Sequence, residues 1–317
     1  MTVAPFYVPA LAFALTFGLT GIAIPVLRRR RVGQTVRADG PASHRVKAGT
    51  PAMGGAIFLP VAVGVTLAAA FRPDVALLAG VGLGYAALGF ADDYLKAFRR
   101  RPLGLKARQK LVGQLVLALV AAWGARAMAA DVSVLRLPGS VHGWSIGPYY
   151  WPLALLVVVG TANAVNLTDG VDGLAGGLGV VAFVFYAVVG HLLGQPSLSL
   201  LFLALAGSLL AFLLFNFHPA RIFMGDTGSL GLGAILGAAA VLTRSELFLL
   251  LVGGVFVVET LSVMVQVAAF RLTGRRVLLM SPLHHHFELA GWSEGKLVRR
   301  FWGLGVLLAM AALWLWH

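Results

Sequence analysis

A chain of 317 residues that is 59% hydrophobic and 12% charged, with a mean hydropathy of +0.87, carries more apolar side chain than a water-soluble core can hide. Its solvent is therefore largely lipid. The formal charge of +13 does not indicate nucleic acid, because the Lys and Arg residues sit in short loops between apolar runs and not on one hydrated face, and the absence of cysteine excludes disulfides and cysteine catalysis.

The first apolar run, near residues 4–27, has no basic residue before it and Arg28, Arg29, Arg30 and Arg31 after it, the wrong polarity for a cleaved signal peptide. Further runs predict membrane helices near 51–71, 75–93, 110–130, 151–167, 174–193, 198–217, 229–243, 246–270 and 297–317. Each approaches the roughly 20 residues that cross a hydrocarbon core, which makes about ten spans and leaves no stretch for a separate soluble domain. Residues 1–317 are thus expected to form a single polytopic, all-α membrane domain. An even number of spans puts both termini on one side. The loops at 28–47, 96–110, 221 and 271–300 hold 21 of the 25 Lys and Arg, whereas Arg72, Arg126, Arg136 and Arg244 fall near the other side. By the positive-inside rule the basic loops are cytoplasmic and the termini external.

Between the fourth and fifth spans, the alternating run from Val132 to Leu137 is followed by Pro138-Gly139 and a second short stretch, which predicts a small external hairpin. Glycines four apart inside spans, Gly80 and Gly84, Gly173 and Gly177, Gly233 and Gly237, predict close helix packing. No phosphate-loop or dinucleotide fingerprint occurs.

The chain has only 12 acidic residues, so their positions are informative. Asp74, Asp131 and Glu246 fall on the external side and Glu259 inside a span; Asp39, Asp92, Asp93, Asp169, Asp172, Asp226, Glu288 and Glu294 all fall at or near cytoplasmic ends. Asp92 and Asp93 follow an apolar run and precede Lys96; adjacent carboxylates at a membrane border repel unless a cation or a proton lies between them. Asp169 and Asp172 share one helix face if the sixth helix begins at residue 168, and helix capping alone would leave Asp172, Asn163 and Asn166 unexplained. Asp226, in Met224-Gly225-Asp226-Thr227-Gly228-Ser229, sits in a polar turn with room for a hydrated hard cation, and reads equally as a helix cap. His284, His285 and His286 stand in a loop; consecutive imidazoles cannot all face one ion, so hydrogen bonding to phosphates is favoured over zinc.

Order and content of these motifs together resemble the phospho-N-acetylmuramoyl-pentapeptide transferase family. The resemblance rests on Lys47-Ala48-Gly49-Thr50-Pro51-Ala52-Met53-Gly54-Gly55, the run from Asp92 through Lys96, Asn166-Leu167-Thr168-Asp169-Gly170-Val171-Asp172-Gly173, the segment from Asn216 to Ser229, and Pro282-Leu283-His284-His285-His286-Phe287-Glu288 with Gly291-Trp292 and Arg300-Phe301-Trp302. It spans nearly the whole chain. It implies a ten-helix enzyme of the bacterial plasma membrane, usually a homodimer, with a magnesium-dependent cleft on the cytoplasmic side. It also implies transfer of phospho-N-acetylmuramoyl-pentapeptide from UDP-N-acetylmuramoyl-pentapeptide to undecaprenyl phosphate, with release of UMP. On the same resemblance Asp92, Asp93 and Asp226 match catalytic and magnesium carboxylates; the expected division makes Asp226 the main magnesium ligand, has Asp93 help to bind the metal or hold Lys96, and has Asp92 orient or deprotonate the lipid phosphate. Asn166, Asp169, Asp172, Asn216 and Phe223 match nucleotide-pocket positions. Lys47, Thr50, Lys96, His284, His285 and His286 match substrate-contacting or catalytic ones.

A polyprenyl-phosphate N-acetylglucosamine-1-phosphate transferase would share the carboxylates and the metal, and the histidine run favours the muramoyl enzyme over it. An ion-coupled transporter would place its carboxylates near the bilayer midplane, where only Glu259 approaches that description.

Overall fold

A computed structural model of the protein describes residues 7–29, 49–99, 104–128, 133–140 and 142–316. Lys47, Asp39 and Asp131 lie outside the described residues. The helices in chain order are α1 (Tyr7–Arg29), α2 (Gly55–Ala69), α3 (Pro73–Ala97), α4 (Ala107–Met128), α5 (Tyr150–Thr168), α6 (Leu174–Leu192), α7 (Pro196–Asn216), α8 (Gly225–Thr243), α9 (Glu246–Val252), α10 (Gly254–Thr273), α11 (Leu283–Leu289) and α12 (Glu294–Trp314). Among the described residues nine helices are long and apolar enough to cross a membrane, and the 15-residue α2 falls short of that length. The chain is an all-α integral membrane protein.

Local sequence explains several boundaries. Proline opens α3 and α7, where its missing N–H costs no helical bond. The expected second span loses its first turn because residues 51–55 pair with 223–224. Phe223 N donates to the Pro51 carbonyl at 2.7 Å, Gly54 N to Phe223 at 2.9 Å, and Gly55 N to Met224 at 3.0 Å. The expected single helix over 246–270 is two helices, α9 and α10, divided at Gly253, whose ψ of 13° leaves the helical region. A Gly253-Gly254 pair supplies little helix propensity, so a bend there is cheap. Helix six begins at Leu174 and not at 168; α5 runs on to Thr168, and residues 169–173 form a turn that ends at Gly173 with φ +79°. Asp169 and Asp172 therefore lie on that turn, not on one face of a helix.

Helix α8 is the axis of the bundle. All its residues except Asp226 are buried, and it packs mainly against α3 and α5. A side chain on Gly233 or Gly237 would run into the α5 backbone at Ala162 or Val158, so these two glycines do serve close packing. Elsewhere the expectation holds less evenly: Gly84 faces Leu117 and Gly177 faces Trp302, while Gly80 faces open space.

At one end of the bundle lies the predicted hairpin, β1 (Val134–Arg136) antiparallel to β2 (Gly143–Ser145) with Leu135 opposite Trp144. Gly139 N donates to the Leu315 carbonyl at 2.7 Å and the Arg136 guanidinium lies over Trp316 at 4.5 Å, which ties the hairpin to the chain's last described residues. At the opposite end meet the C-terminal ends of α3, α5, α7 and α10 and the N-terminal ends of α4, α6, α8 and α12.

Candidate active site

That opposite end gathers the acids. Asp92 and Asp93 occupy the last turns of α3 and are both buried. Asp92 lies 2.5 Å from Lys96 Nζ and accepts the Leu105 N–H at 2.8 Å. The lysine contact is an ion pair by distance, although its angle does not make an aligned hydrogen bond. Gly104, at φ +59°, brings the loop so close that any side chain there would overlap the Asp92 carboxylate.

Asp93 does something else. Its Oδ1 accepts Asp226 N at 3.1 Å, and its Oδ2 accepts Thr227 N at 3.0 Å and the Thr227 hydroxyl at 2.7 Å. The first N–H groups of a helix lack intrahelical acceptors, and here a carboxylate from a neighbouring helix satisfies those of α8 and faces the positive end of its dipole. Asp226 then projects from the first turn of α8. Its Oδ2 meets Lys110 Nζ at 2.6 Å and Lys96 Nζ at 3.4 Å, and its Oδ1 accepts Asn166 Nδ2 at 3.0 Å. Lys96 thus joins Asp92 and Asp226, while Asp93 is hydrogen-bonded to α8; of the two tasks expected of Asp93, holding Lys96 falls to Asp92 and Asp226.

Oxygen atoms of Asp92, Asp93 and Asp226 lie within 4.8 Å of one another, so the three could hold a cation. An all-oxygen donor set suits a hard divalent ion such as magnesium. Two lysines against three carboxylates leave a net negative charge, which favours a cation.

From Asp226 the site continues along the end of α5. Asn166 Nδ2 also reaches Ser229 Oγ at 2.8 Å. Asp169 caps α5, and Asp172 Oδ2 accepts Ala220 N at 3.0 Å and lies 3.1 Å from His218 Nδ1. His218 Nδ1 is also 3.3 Å from Glu294 at the start of α12. Asn216 is buried and fully engaged with backbone, accepting Gly173 N at 3.1 Å and donating to Ile222 O at 2.9 Å. It shapes the turn after α5 and the loop carrying Phe223. Phe223 is partly buried against the Ala52 and Met53 pair, and its N–H donates to the carbonyl of Pro51, the residue after Thr50.

The histidines are not in a loop: His284, His285 and His286 lie on the short helix α11. His284 is fully buried, His285 Nδ1 is 2.7 Å from Glu288 Oε2, and His286 Nδ1 accepts Leu279 N at 3.2 Å. Their three rings thus have three different surroundings, as expected for residues that cannot share one ion.

Lys110, Thr227 and His218 had no role in the sequence reading, and Glu294 entered it only as one of the acids at cytoplasmic ends. Thr227 was visible as a hydroxyl residue beside Asp226. Lys110 was counted only as a topology charge, although a lysine opening an apolar helix is a signal in itself.

Comparison with known proteins gives the carboxylate and lysine cluster a family context. The pattern of glycosyl transferase family 4 covers residues 75–244, the stretch from α3 to the end of α8 that holds all three clustered carboxylates. Among similar proteins, the phospho-N-acetylmuramoyl-pentapeptide-transferase of Moorella thermoacetica is 51% identical over 96% of each chain. That of Symbiobacterium thermophilum is 49% identical over 95% of this chain and 92% of its own. The protein of the same name from Shouchella clausii is 46% identical over 98% of this chain and 96% of its own. With identity of this degree over nearly the whole chain, the chain belongs to the phospho-N-acetylmuramoyl-pentapeptide transferase family.

Proposed function

We propose that the protein transfers phospho-N-acetylmuramoyl-pentapeptide from its UDP carrier to undecaprenyl phosphate, releasing UMP and forming the first lipid-linked peptidoglycan precursor. The observation that carries the chemistry is the meeting of Asp92, Asp93 and Asp226 with Lys96 and Lys110 at one end of a membrane bundle. A phosphoryl centre moving between two anions is opposed mainly by charge repulsion and misalignment, and fixed cations lower both barriers. Magnesium, held by Asp226 with Asp93, would neutralise the pyrophosphate as UMP departs.

The chain's own groups do the rest. Lys110 and Lys96 face the phosphates, and Asp92 keeps Lys96 in place and orients the lipid phosphate. That phosphate, with a second pKa of about 6 if it behaves as other phosphate monoesters, is already an anion at neutral pH. Its oxygen attacks the β-phosphorus in line while the bond to the bridging oxygen breaks and UMP leaves. Asn166, Asp169, Asp172 and Phe223 form the nucleotide side of the cleft, Phe223 offering a stacking face to uracil. Thr50, His285 and His286 complete the phosphate side with Lys47, which the family resemblance assigns there, and His284, fully buried, stands behind them. The excess of Lys and Arg in the loops at 28–47, 96–110, 221 and 271–300 supports a cleft at the cytoplasmic face of a bacterial inner membrane. Family likeness supports a homodimer, which native mass spectrometry of the detergent-solubilised protein checks.

The test is UMP release by purified protein from UDP-N-acetylmuramoyl-pentapeptide. Release should require both polyprenyl phosphate and magnesium. Equal turnover of UDP-N-acetylglucosamine would transfer the assignment to the related N-acetylglucosamine-1-phosphate reaction. A stoichiometric burst of UMP without lipid acceptor, with a sugar-phosphate adduct trapped on Asp92 or Asp93, would replace direct attack by a covalent route.

A further inference from the structure

Glu259 is fully buried within α10, where a carboxylate is costly unless its oxygens are engaged. Both oxygens approach the backbone N–H of His284, at 3.1 and 3.3 Å. Oε2 also lies 3.2 Å from His284 Nδ1, close but not aligned, because neither ring nitrogen has a hydrogen-bonding partner. The backbone contact is the firm one. It supplies an acceptor that the first turn of α11 otherwise lacks.

The other side of the His284 ring rests on the turn after α5. A side chain on Gly170 would overlap Nε2, so the imidazole is wedged between α10 and the segment that carries Asp169 and Asp172. Two helical turns beyond Glu259, on the same face of α10, Gln266 accepts Val277 N at 3.0 Å and Leu278 N at 2.9 Å and donates to Leu278 O at 3.1 Å. The segment leading into α11 is therefore fastened to one helix face at two points, and what it presents is His285 and His286.

We propose that Glu259 is a positioning residue for the transfer reaction: by holding the His284 N–H and backing its ring against Gly170, it sets α11 so that His285 faces the phosphates. This rests on the phosphoryl-transfer reading above, and Glu259 itself touches no substrate. An apolar residue of similar size would fill the space and leave a buried N–H without an acceptor. A glutamine would still supply the acceptor.

The experiment uses full-length protein in lipid nanodiscs, with UDP-N-acetylmuramoyl-pentapeptide, polyprenyl phosphate and magnesium. It compares wild type with Glu259→Ala, Glu259→Gln, His285→Ala and the double variant Glu259→Ala/His285→Ala. Glu259→Ala should lower kcat by about tenfold or more and leave KM for the UDP substrate within about threefold. Glu259→Gln should return kcat to within about threefold of wild type. The double variant should fall no more than about twofold below His285→Ala, because both changes remove the same contribution. A kcat within about twofold of wild type for Glu259→Ala, multiplying effects, equal losses in the Gln and Ala variants, or a silent His285→Ala would each overturn the proposal. Should Glu259→Ala not yield monodisperse protein, Gly170→Ala presses the same ring from the opposite side, and an unchanged kcat there overturns the proposal equally. An inactive wild type would instead reject the transfer reading itself.

Discussion

Two lysines end on a single oxygen of Asp226, Lys110 at 2.6 Å and Lys96 at 3.4 Å. Such convergence in a partly buried site is worth more than a surface ion pair, and in the proposed reaction both charges face the phosphates. Lys110→Met keeps the apolar stem and removes the charge; kcat should fall by about 100-fold, comparable to the loss of one charge-stabilising donor, with little change in thermal stability. Steady-state kinetics beside a melting curve separate the two. Asp226→Asn should likewise lose activity and need more magnesium for half-maximal rate, and an unchanged magnesium profile would remove Asp226 from the metal role. Asp226, which read equally as a helix cap, entered through the family resemblance, whereas Asp92 and Asp93 were legible in the sequence because adjacent carboxylates at the end of an apolar run demand a reason. Lys110 was not, since every lysine in a basic loop already has a reason in topology. The separate duties of Asp92 and Asp93 were also beyond the sequence: adjacent residues on a helix point about 100° apart, and only the position of α8 decides which one meets its N-terminus.

Among elements, α8 depends on glycine at the α5 contact. Gly233→Leu would force its side chain into the Ala162 backbone, so the loss of stability should lie at or above the upper end of the ~1–3 kcal/mol typical of overpacking, read as a lower unfolding midpoint in detergent. Gly80→Leu, facing open space, should be far milder. The spans themselves were readable from apolar run length, because no other signal competes with it in lipid. Three details were not. Hydropathy cannot distinguish one helix from two joined at Gly253, a seven-residue helix such as α11 is too short to show periodicity, and the pairing of 51–55 with 223–224 is a contact between segments far apart in sequence.

For the whole molecule, alternation of direction from α3 to α8 brings every site element to one end and the β1–β2 hairpin to the other. Orientation in the membrane then follows from charge. Reporter domains fused after Leu95 and after Phe287 should both report the cytoplasm, and two external signals would reverse the orientation proposed here. The burial of α8 has a consequence for how the protein is made. Of the nine span-length helices it has the lowest mean hydropathy, whereas α7 has the highest, and a helix that meets protein on every side needs no oily surface of its own. During synthesis its partners α3 and α5 have already emerged when α8 does, so the chain can receive it in company. Presented alone to the insertion machinery in a host protein, the α8 segment should integrate less efficiently than α7, a difference that glycosylation mapping measures directly.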